Sequence, residues 1–542
     1  MKKIGLLIVF SALVCSAWAV PARREGVVKT QPDGTQIVVC QHGDEHFRWM
    51  TNEKGEWLKM DVDGFYRVTE ALSAEQIEAK RMAAPSRLAQ AQKAATPLNI
   101  APRGLVILVN FQDVTFETSK AELDSMLTGK NYTRDYSYNY NGKNYVVSSE
   151  GSAWKYFFDS SNEHYNPQFD VIGPVTVSKD MAYYGKNDPS TQFDAAPWTM
   201  VKEACTLVND SVDFSLYDND KDGYVDFVYV IYAGYGESDG ADENTIWPHS
   251  YRLLDRGITC KVDGKYVDLY ACGNELDYFS KQYTGIGTFC HEFSHVLGLP
   301  DLYETTGYGT HKTIGAWSIL DYGPYNNDGN TPPAYSAYEQ FFMGWLMPRL
   351  IVDAENVDLE ELQASNSALL ISSTDQHNLI GNDPKPTTFY LLENRQQVGW
   401  DEYLPGHGLM LTKVQYSSIN WQQNTVNNSS NRMGVDLIEA DGKTPSKDNS
   451  GYKGKAGDLF PVGATEYLGI ADHSIEEVSE KDGVIYFKYK GGVATSIEQV
   501  QQEAIIAIYN ILGQKQTTID IESLPRGTYV VVTTTGSKKI VR

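Results

Sequence analysis

The sequence predicts an α+β fold made of several units. Residues 20 to about 100 begin with short alternating apolar runs broken by glycine turns, which indicate hairpins. Strand and helix patterns alternate from 104 to about 350, and β-like runs follow from 351 to about 490. At 542 residues the chain is long enough to bury more than one core.

Composition and charge narrow the class of protein. Hydrophobic residues make up 42% of the chain and charged residues 21%, which is the balance of a globular protein and not of a disordered one. The formal net charge of −24 argues against nucleic acid as a partner, because nucleic-acid-binding proteins need a basic surface. The acidity fits a soluble exported protein, with carboxylates available for calcium.

Residues 1–19 are predicted to be a signal peptide. Two lysines precede an apolar run, residues 4–14, that is too short for a membrane span, and Ala17-Trp18-Ala19 offers a cleavage site before Val20. No later stretch is long and apolar enough to cross a membrane. We therefore expect a chain that is exported through its signal peptide, secreted or at the cell surface, and not an integral membrane protein.

Residues 20–103 form a predicted propeptide. After the hairpin-like runs, a polar helical segment from Ser73 to about Ala95 leads through a connector with prolines to the core strand at 104–109. That order is expected of a segment removed on activation, by cleavage near Arg87 or Arg103. An N-terminal domain that stays attached is the alternative interpretation.

The next unit, residues 104–350, mixes strands with helices. Helices are predicted at 152–160, 198–209 and 334–345, and a buried strand is predicted at 227–232. The apolar positions of the second helix recur at three- and four-residue steps, which indicates one buried face. We therefore expect a core to which both kinds of element contribute.

An acidic loop precedes the strand at 227–232. Carboxylates at alternate positions around a tight glycine turn can converge on a hard cation such as calcium. The loop lacks the glutamate at the twelfth position of an EF-hand and runs into a strand, so it is not an EF-hand. A structural calcium site is predicted, with a polar surface turn as the alternative. The candidate ligands are Asp218, Asp220, Asp222, Tyr224 and Asp226.

One short stretch carries the most specific chemical signal. His291 and His295 are four residues apart on a predicted helix, so their side chains lie about 40° apart around its axis and can reach one metal ion. Glu292 can face a water molecule at that ion without being a ligand, as in the zincin motif. Gly298 can end the helix with a positive φ, and the turn that follows could bring Asp301 back as a third ligand.

Other interpretations of this stretch have to be weighed. A His-x-x-x-His pair can be a surface pair or a hydrogen-bonded core pair, but Phe293 and its apolar neighbours lie on the opposite face and leave the histidines to face a cleft. Spacing alone does not exclude Glu304 or His311 in place of Asp301. Zinc is the metal that neutral imidazoles and an open coordination position suit.

A turn at 315–323 follows the helix. In metzincin peptidases a methionine lies beneath the histidine ligands, and Leu320 would take its place here. The hydroxyl of Tyr322 could approach the metal or a developing oxyanion, so Tyr322 is a candidate catalytic residue beside Glu292. A hydrogen-bonded core tyrosine is the alternative.

The cysteines allow several pairings. Cys260 and Cys272 flank a predicted hairpin turn, so a cross-strand disulfide is one option. Cys205 and Cys290 could form a second pair. Buried free thiols are the alternative for all four, because such cysteines commonly behave as small hydrophobes.

The C-terminal part is predicted to be all-β. Residues 351–490 form a β-rich accessory domain, with strands at 368–371, 389–392 and 484–487 and no visible catalytic constellation. Residues 491–542 begin with a polar linker and continue as three short strands with glycine turns, which predicts a small β module.

Several stretches of the chain together resemble one known family, the immune inhibitor A family of secreted metallopeptidases. The resemblance implies a zincin/metzincin-like catalytic domain in which His291, His295 and Asp301 bind zinc and Glu292 polarises the water. The stretches that carry it are 42–45, the acidic loop running into 232–234, 246–250, 291–301, 317–319, 343–345, 392–395, 399–401 and 457–461.

The chain departs from the family pattern at two places. Leu320 replaces the turn methionine, which is an apolar exchange of similar volume. Lys413-Val414-Gln415 stands where relatives often carry a His-x-Asp. Separately, the C-terminal module resembles a sorting domain of the type IX secretion system, which implies the secretion machinery as a partner.

The sequence thus predicts a zinc endopeptidase that hydrolyses extracellular proteins or peptides, with structural calcium, made as a zymogen. Glu292 would take a proton from the attacking water and pass it to the leaving amine. A catalytically silent surface adhesin and a hydrolase of other substrates are the alternatives. Latency could come from Cys40 as a thiolate, or from a carboxylate such as Asp44 or Glu45.

Overall fold

The computed structural model describes most of the chain. The predicted signal peptide, Arg87 and most of the helix predicted from Ser73 to Ala95 lie outside the described residues. Within the described part, no helix combines the length and the apolar character needed to cross a bilayer. The described residues are 20–23, 25–44, 47–73, 75–77, 101–188, 193–306, 311–443, 453–492, 505–510, 515–516, 524, 528–533 and 537–541.

The N-terminal unit is an antiparallel sheet of five strands in which each strand pairs with the next. Gly34 and Gly55 adopt positive φ in two of its turns, so the hairpins predicted from the alternating runs are confirmed. The strands are β1 (Val27–Thr30), β2 (Gln36–Asp44), β3 (Phe47–Thr51), β4 (Trp57–Met60) and β5 (Tyr66–Val68).

The next region alternates strands and helices, and the predicted helices and buried strands are present within a few residues of their expected bounds. The elements in chain order are β6 (Arg103–Asn110), α1 (Lys120–Thr128), β7 (Thr133–Tyr140), β8 (Lys143–Glu150), α2 (Ala153–Ser160), β9 (Gln168–Thr176), α3 (Met181–Gly185), α4 (Pro197–Val208), β10 (Tyr224–Val225), β11 (Val228–Tyr235), β12 (His249–Arg252), β13 (Cys260–Val262), β14 (Lys265–Val267), β15 (Leu269–Leu276) and α5 (Gly287–Val296).

A five-stranded sheet in the order β12-β15-β11-β6-β9 forms the centre of this region. Strands β15, β11, β6 and β9 are parallel, and β12 runs antiparallel along one edge. The chain is therefore mixed α/β, with further sheets before and after, where the sequence predicts α+β. The alternation of patterns is correct, but it does not reveal strand direction, which depends on the crossovers between strands.

Helices cover both faces of the central sheet, because successive residues of a strand point to opposite sides. Val106 and Leu108 of β6 pack in one core with α1, α2 and α5. Leu105 and Ile107 pack in a second core with α4. Strands buried on both faces explain the continuous apolar run at the start of this region.

The C-terminal part adds two sheets that share a core and a third, smaller sheet. The first has the order β16-β18-β19-β20-β21, and the second β17-β23-β22. The smaller sheet β24-β25-β26 confirms the three short strands expected at the C-terminus. The elements are α6 (Ala337–Met343), β16 (Arg349–Leu350), β17 (Glu355–Leu359), α7 (Leu362–Ser365), β18 (Leu369–Ile371), β19 (Thr388–Arg395), β20 (Gly408–Gln415), α8 (Ser418–Gln422), β21 (Val435–Leu437), β22 (Ile475–Lys481), β23 (Val484–Tyr489), β24 (Ile505–Asn510), β25 (Thr528–Thr533) and β26 (Ser537–Val541).

The described cysteines are free thiols, and neither suggested pair is formed. Cys205 of α4 instead contacts Cys260 of β13. Cys272 lies on β15 in the central sheet, whereas β13 belongs to the small sheet β10-β14-β13. Cys290 is buried in α5. A turn predicted between two cysteines does not establish that they lie on the two strands it joins.

Candidate metal centre and the segment that covers it

Helix α5 carries both histidines, and its apolar side fixes its position. Phe289 and Phe293 pack against Phe169 of β9, with ring centroids 5.1 and 5.2 Å apart. Gly298 ends the helix with a φ of 98°, and its N–H donates to the carbonyl of His295 at 2.9 Å. The chain can then turn back toward the polar face of the helix.

His291, His295 and Asp301 converge, and all three are fully buried. The two Nε2 atoms are 3.0 Å apart, and Oδ1 of Asp301 lies 3.3 and 3.2 Å from them. Ligand atoms bound tetrahedrally to zinc at its usual bond lengths lie about 3.3 Å from one another. Among the described residues, Glu304 and His311 do not belong to this group.

The other ring nitrogen of each histidine contacts a backbone carbonyl. Nδ1 of His291 lies 2.7 Å from the oxygen of Ile319, and Nδ1 of His295 lies 2.8 Å from that of Leu299. Carbonyls only accept, so each Nδ1 carries the proton and each Nε2 presents a lone pair. Burial lowers the pKa of His295, which favours the neutral ring. Two facing lone pairs and a carboxylate form a donor set that fits zinc.

Asn424, after helix α8, orients the carboxylate of Asp301. Its Oδ1 accepts from the backbone N–H of Asp301 at 2.8 Å, and its Nδ2 donates to Oδ2 of Asp301 at 2.5 Å. Oδ1 of Asp301 therefore faces the histidines.

The same segment fixes the rest of the loop that carries Asp301. Nδ2 of Asn427 donates to the carbonyl of Leu302 at 2.7 Å. The hydroxyl of Thr305 donates to the carbonyl of Asn424 at 2.7 Å, and its N–H donates to Oδ1 of Asn428 at 2.8 Å. Residues 424–428 thus clamp residues 301–305 from a part of the chain that lies beyond the central region.

Replacing Asn424 by alanine is expected to weaken zinc binding about 10- to 100-fold, because the carboxylate of Asp301 loses the amide that directs it. Competition between the protein and a chromophoric chelator measures this affinity. Asn428→Ala, which removes a contact to Thr305 and none to Asp301, is the matched control. Equal zinc affinity of Asn424→Ala and wild type would contradict the role of the amide.

The turn predicted after the helix lies beside His291. Ile319 provides the carbonyl that His291 contacts, and Leu320 is fully buried in the same core as α5. Tyr322 is also buried, but its hydroxyl donates to Oε2 of Glu25 at 2.9 Å. The side chain of Tyr322 is therefore buried, as that of a core tyrosine would be, but its hydroxyl is hydrogen-bonded to the N-terminal segment of the chain.

That N-terminal segment lies across the site. The backbone N–H of Val20 donates to Oε1 of Glu292 at 2.9 Å, and both residues are fully buried. Nε1 of Trp247 donates to the carbonyl of Val20 at 3.1 Å, and the hydroxyl of Tyr325 donates to the carbonyl of Pro21 at 2.7 Å. A backbone nitrogen of the N-terminal segment thus lies within hydrogen-bonding distance of Glu292.

Charged side chains anchor the same segment. Arg23 pairs with Asp277 and Asp328, and Glu25 pairs with Lys453. Burial opposes ionisation of Glu25, but Arg23 and Lys453 outweigh it and hold its pKa at about 2. Because the docked pKa lies below the ordinary value of 4.5, the contribution of Glu25 to docking is complete above about pH 4.5 and is lost as the pH falls through about 2.

Three of the five candidate calcium ligands come together in the acidic loop. Ligand oxygens of Asp218, Asp220 and Asp222 lie within 4.8 Å of one another. Gly223 adopts a φ of 95° in this turn, which an L side chain would strain. The close approach of three carboxylates is consistent with a cation between them.

The other two candidates are arranged differently. Oδ2 of Asp226 accepts from the backbone N–H of Asn219 at 2.6 Å, and the N–H of Tyr224 donates to Oδ1 of Asp222 at 2.8 Å. Nζ of Lys265 lies 2.6 Å from Oδ2 of Asp218 and supplies a positive charge at the edge of the cluster. The loop therefore shows the carboxylate cluster without a complete calcium shell.

Sequence reasoning misses Asn424 and Arg23. No pattern in the sequence distinguishes Asn424 from the other asparagines near it, although hydrogen bonds from neighbouring residues commonly orient a metal ligand. Arg23 lies in an N-terminal stretch without periodicity. The feature of the sequence that could have pointed to Arg23 is its position close after the predicted signal-peptide cleavage site.

Comparisons with known proteins agree on one family. Residues 99–347 match the family described as immune inhibitor A peptidase M6, catalytic domain. The chain is 26% identical over 280 residues to the pre-pro-metalloprotease PrtV of Vibrio cholerae serotype O1, which covers 47% of this chain and 29% of that protein. It is 26% identical over 289 residues to immune inhibitor A of Bacillus thuringiensis subsp. alesti, which covers 48% of this chain and 42% of that protein. The match thus spans less than half the length of these curated relatives.

Proposed function

Residues 99–347 belong to the immune inhibitor A peptidase M6 family of zinc metallopeptidases, and on that premise we propose that the chain is an exported zinc endopeptidase made as a latent precursor. The convergence of His291, His295 and Asp301 beside Glu292 carries the proposal. Proteins or peptides outside the cell would be its substrates.

In this proposal His291, His295 and Asp301 hold the metal. Zinc bound there supplies a Lewis acid that polarises the scissile carbonyl and lowers the pKa of water. Glu292 takes the proton of the attacking water and delivers it to the leaving amine. The hydrogen bond from Val20 to Glu292 supports this role, because the leaving amine is also a backbone nitrogen. Tyr322 would stabilise the developing negative charge once Glu25 has left.

The segment 20–25 would keep the precursor latent. Its hydrogen bond to Glu292 supports this assignment, and a signal-peptide cut before Val20 would make that nitrogen an α-amino group. Cys40 lies on β2 with its Sγ beside Gly26, and Asp44 accepts from the N–H of Phe47. Neither is therefore our choice for the group that blocks the metal, and Glu45 lies outside the described residues.

Arg23→Gln is expected to raise the proteolytic activity of the uncleaved precursor by at least about tenfold, because it removes a buried charge that two carboxylates hold. The uncleaved Cys40→Ala precursor is expected to remain inactive, because Cys40 is not the group that we propose to block the site. Arg67→Gln, an exposed arginine of β5, is the matched control. Activity of the three precursors is compared on a fluorescent casein, and a latent Arg23→Gln with an active Cys40→Ala would reverse the assignment.

We propose that the propeptide, expected at residues 20–103, is released by a cut upstream of β6, which begins at Arg103. Arg103 already pairs with Asp170 at 2.7 Å as the first residue of that strand, so a cut further upstream leaves the central sheet intact. The catalytic domain, residues 104–350, would follow, with the accessory domain 351–490. The module 491–542 would engage the secretion machinery after export through the signal peptide.

Calcium is proposed at Asp218, Asp220 and Asp222. Adding calcium is expected to raise the melting temperature by about 2–8 °C, because a ligand at a hundred times its Kd stabilises the folded state by about 2.7 kcal/mol. Scanning calorimetry with calcium and with a chelator measures the shift. Asp220→Asn combined with Asp222→Asn should remove it, whereas Asp213→Asn, nearby and exposed, should keep it. An undiminished shift in the double variant would place the calcium elsewhere.

Casein zymography of the processed, zinc-loaded protein, paired with metal analysis, tests the proposed function as a whole. Clearing that a zinc chelator abolishes and added zinc restores is expected. A protein that carries zinc, has lost its propeptide and cleaves no protein substrate would favour the silent binding protein instead.

A further inference from the structure

Arg23 lies in a pocket whose other walls belong to the catalytic region. Its side chain is 5% exposed, although arginine is almost never buried to this extent unless it is paired. One terminal nitrogen pairs with Oδ2 of Asp277, and the other lies 2.7 Å from Oδ1 of Asp328. The guanidinium carbon stands 4.3 Å from the ring centre of Phe279, in cation–π contact.

The two carboxylates are held in place by residues other than Arg23. Oδ1 of Asp277 accepts from the backbone N–H of Phe279 and from both the N–H and the hydroxyl of Ser280, at 2.7 to 3.1 Å. Oδ2 of Asp328 accepts from the hydroxyl of Tyr138 at 2.7 Å. Each carboxylate thus keeps one oxygen for its support and turns the other toward the guanidinium. The pocket is preorganised for a cation and would remain acidic after Arg23 leaves.

The backbone of the segment sets the position of Arg23 relative to the chemistry. The backbone nitrogen of Val20 is hydrogen-bonded to Glu292, where the leaving amine of a cleaved substrate would lie. The N–H of Arg23 donates to the carbonyl of Ser238 at 2.9 Å. Counting from the residue that carries this nitrogen, Arg23 is the fourth. It therefore marks where the fourth residue after a scissile bond would lie.

We infer that Asp277, Asp328 and Phe279 form a specificity pocket for a basic side chain, arginine above all, at the fourth position after the scissile bond. The inference rests on the proposed peptidase function and names a feature of its substrates. Arginine fits better than lysine because its planar fork can meet two carboxylates and stack on the phenylalanine ring.

Fluorogenic peptides that differ only at this fourth position test the pocket with the processed, zinc-loaded enzyme. Arginine is compared with citrulline, which has nearly the same shape and no charge. We expect kcat/KM to be at least about tenfold higher for arginine, mainly through KM. Equal kcat/KM for the two peptides would overturn the inference.

Variants connect the preference to the pocket. Asp328→Asn is expected to bring the arginine-to-citrulline ratio close to one, and Asp277→Asn should do the same if it folds. Asp135→Asn removes an exposed charge from the same hairpin as Tyr138 and should leave the ratio unchanged. A ratio that survives Asp328→Asn and Asp277→Asn would contradict the assignment to these carboxylates.

A binding measurement separates failure of the pocket from failure of the proposed function. The synthetic heptapeptide with the sequence of residues 20–26 is titrated calorimetrically into the processed protein, beside its citrulline analogue at position 23. Tighter binding of the arginine peptide by about tenfold supports the pocket even if no protein substrate is cleaved. Equal affinity of the two peptides overturns it even if casein is cleaved.

Discussion

Glu292→Gln is expected to lower proteolysis about 10²- to 10⁴-fold while zinc stays bound. Glutamine keeps the size of the side chain and its ability to accept a hydrogen bond, but it cannot take a proton from water. The three groups that converge near it, His291, His295 and Asp301, are unchanged. Hydrolysis of casein and the zinc content of the same preparation measure the two halves of the expectation.

The matched control is Glu304→Gln, a change of the same kind three residues after Asp301. Glu304 lies outside the converging group, so this variant should keep both zinc and activity. This variant also tests Glu304 itself as a zinc ligand, which the spacing of the sequence alone does not exclude. An active Glu292→Gln enzyme would contradict the role of Glu292, and loss of zinc from Glu304→Gln would contradict the choice of Asp301.

Arg395→Ala is expected to destabilise the protein by about 3–5 kcal/mol, because it leaves buried carboxylates without their cation. Arg395 is fully buried, and its Nε and one terminal nitrogen each lie 2.6 Å from an oxygen of Asp401. Glu393 lies 3.6 Å from its other terminal nitrogen. Since whole domains are typically stable by only about 5–15 kcal/mol, a loss of this size would sharply reduce soluble protein.

Urea unfolding followed by fluorescence measures that loss, with Arg349→Ala as the control. Arg349 pairs with Glu355 at 2.6 Å, but its side chain is 54% exposed, so we expect a change below about 1 kcal/mol. If Arg395→Ala and Arg349→Ala lower the free energy of unfolding equally, burial of the first pair is not what makes it important.

Local patterns predict the directions of the side chains on α5 well. His291 and His295 lie on one face of the helix, one turn apart, and Phe293 lies on the face that packs on the sheet. The period of the helix alone fixes both directions. Gly298 ends the helix as expected, because only a residue that tolerates positive φ can do so cheaply. These relations span at most eight residues and need no tertiary information.

Contacts between residues that are far apart in the chain are not predictable from the sequence patterns. Asn424 contacts a residue 123 positions earlier, and Val20 contacts one 272 positions later. Neither contact leaves a periodic trace, since it depends on how separate elements dock. The contact between the thiols of Cys205 and Cys260 is another example. It depends on how helix α4 docks against β13, a strand of the small sheet β10-β14-β13.

The asparagine clamp on residues 301–305 has an evolutionary consequence. The matched family segment ends at residue 347, yet the carboxylate of Asp301 is aimed by an amide at residue 424. A recombination event that exchanged everything after residue 347 would carry away the group that aims it. The two stretches are therefore expected to be inherited together.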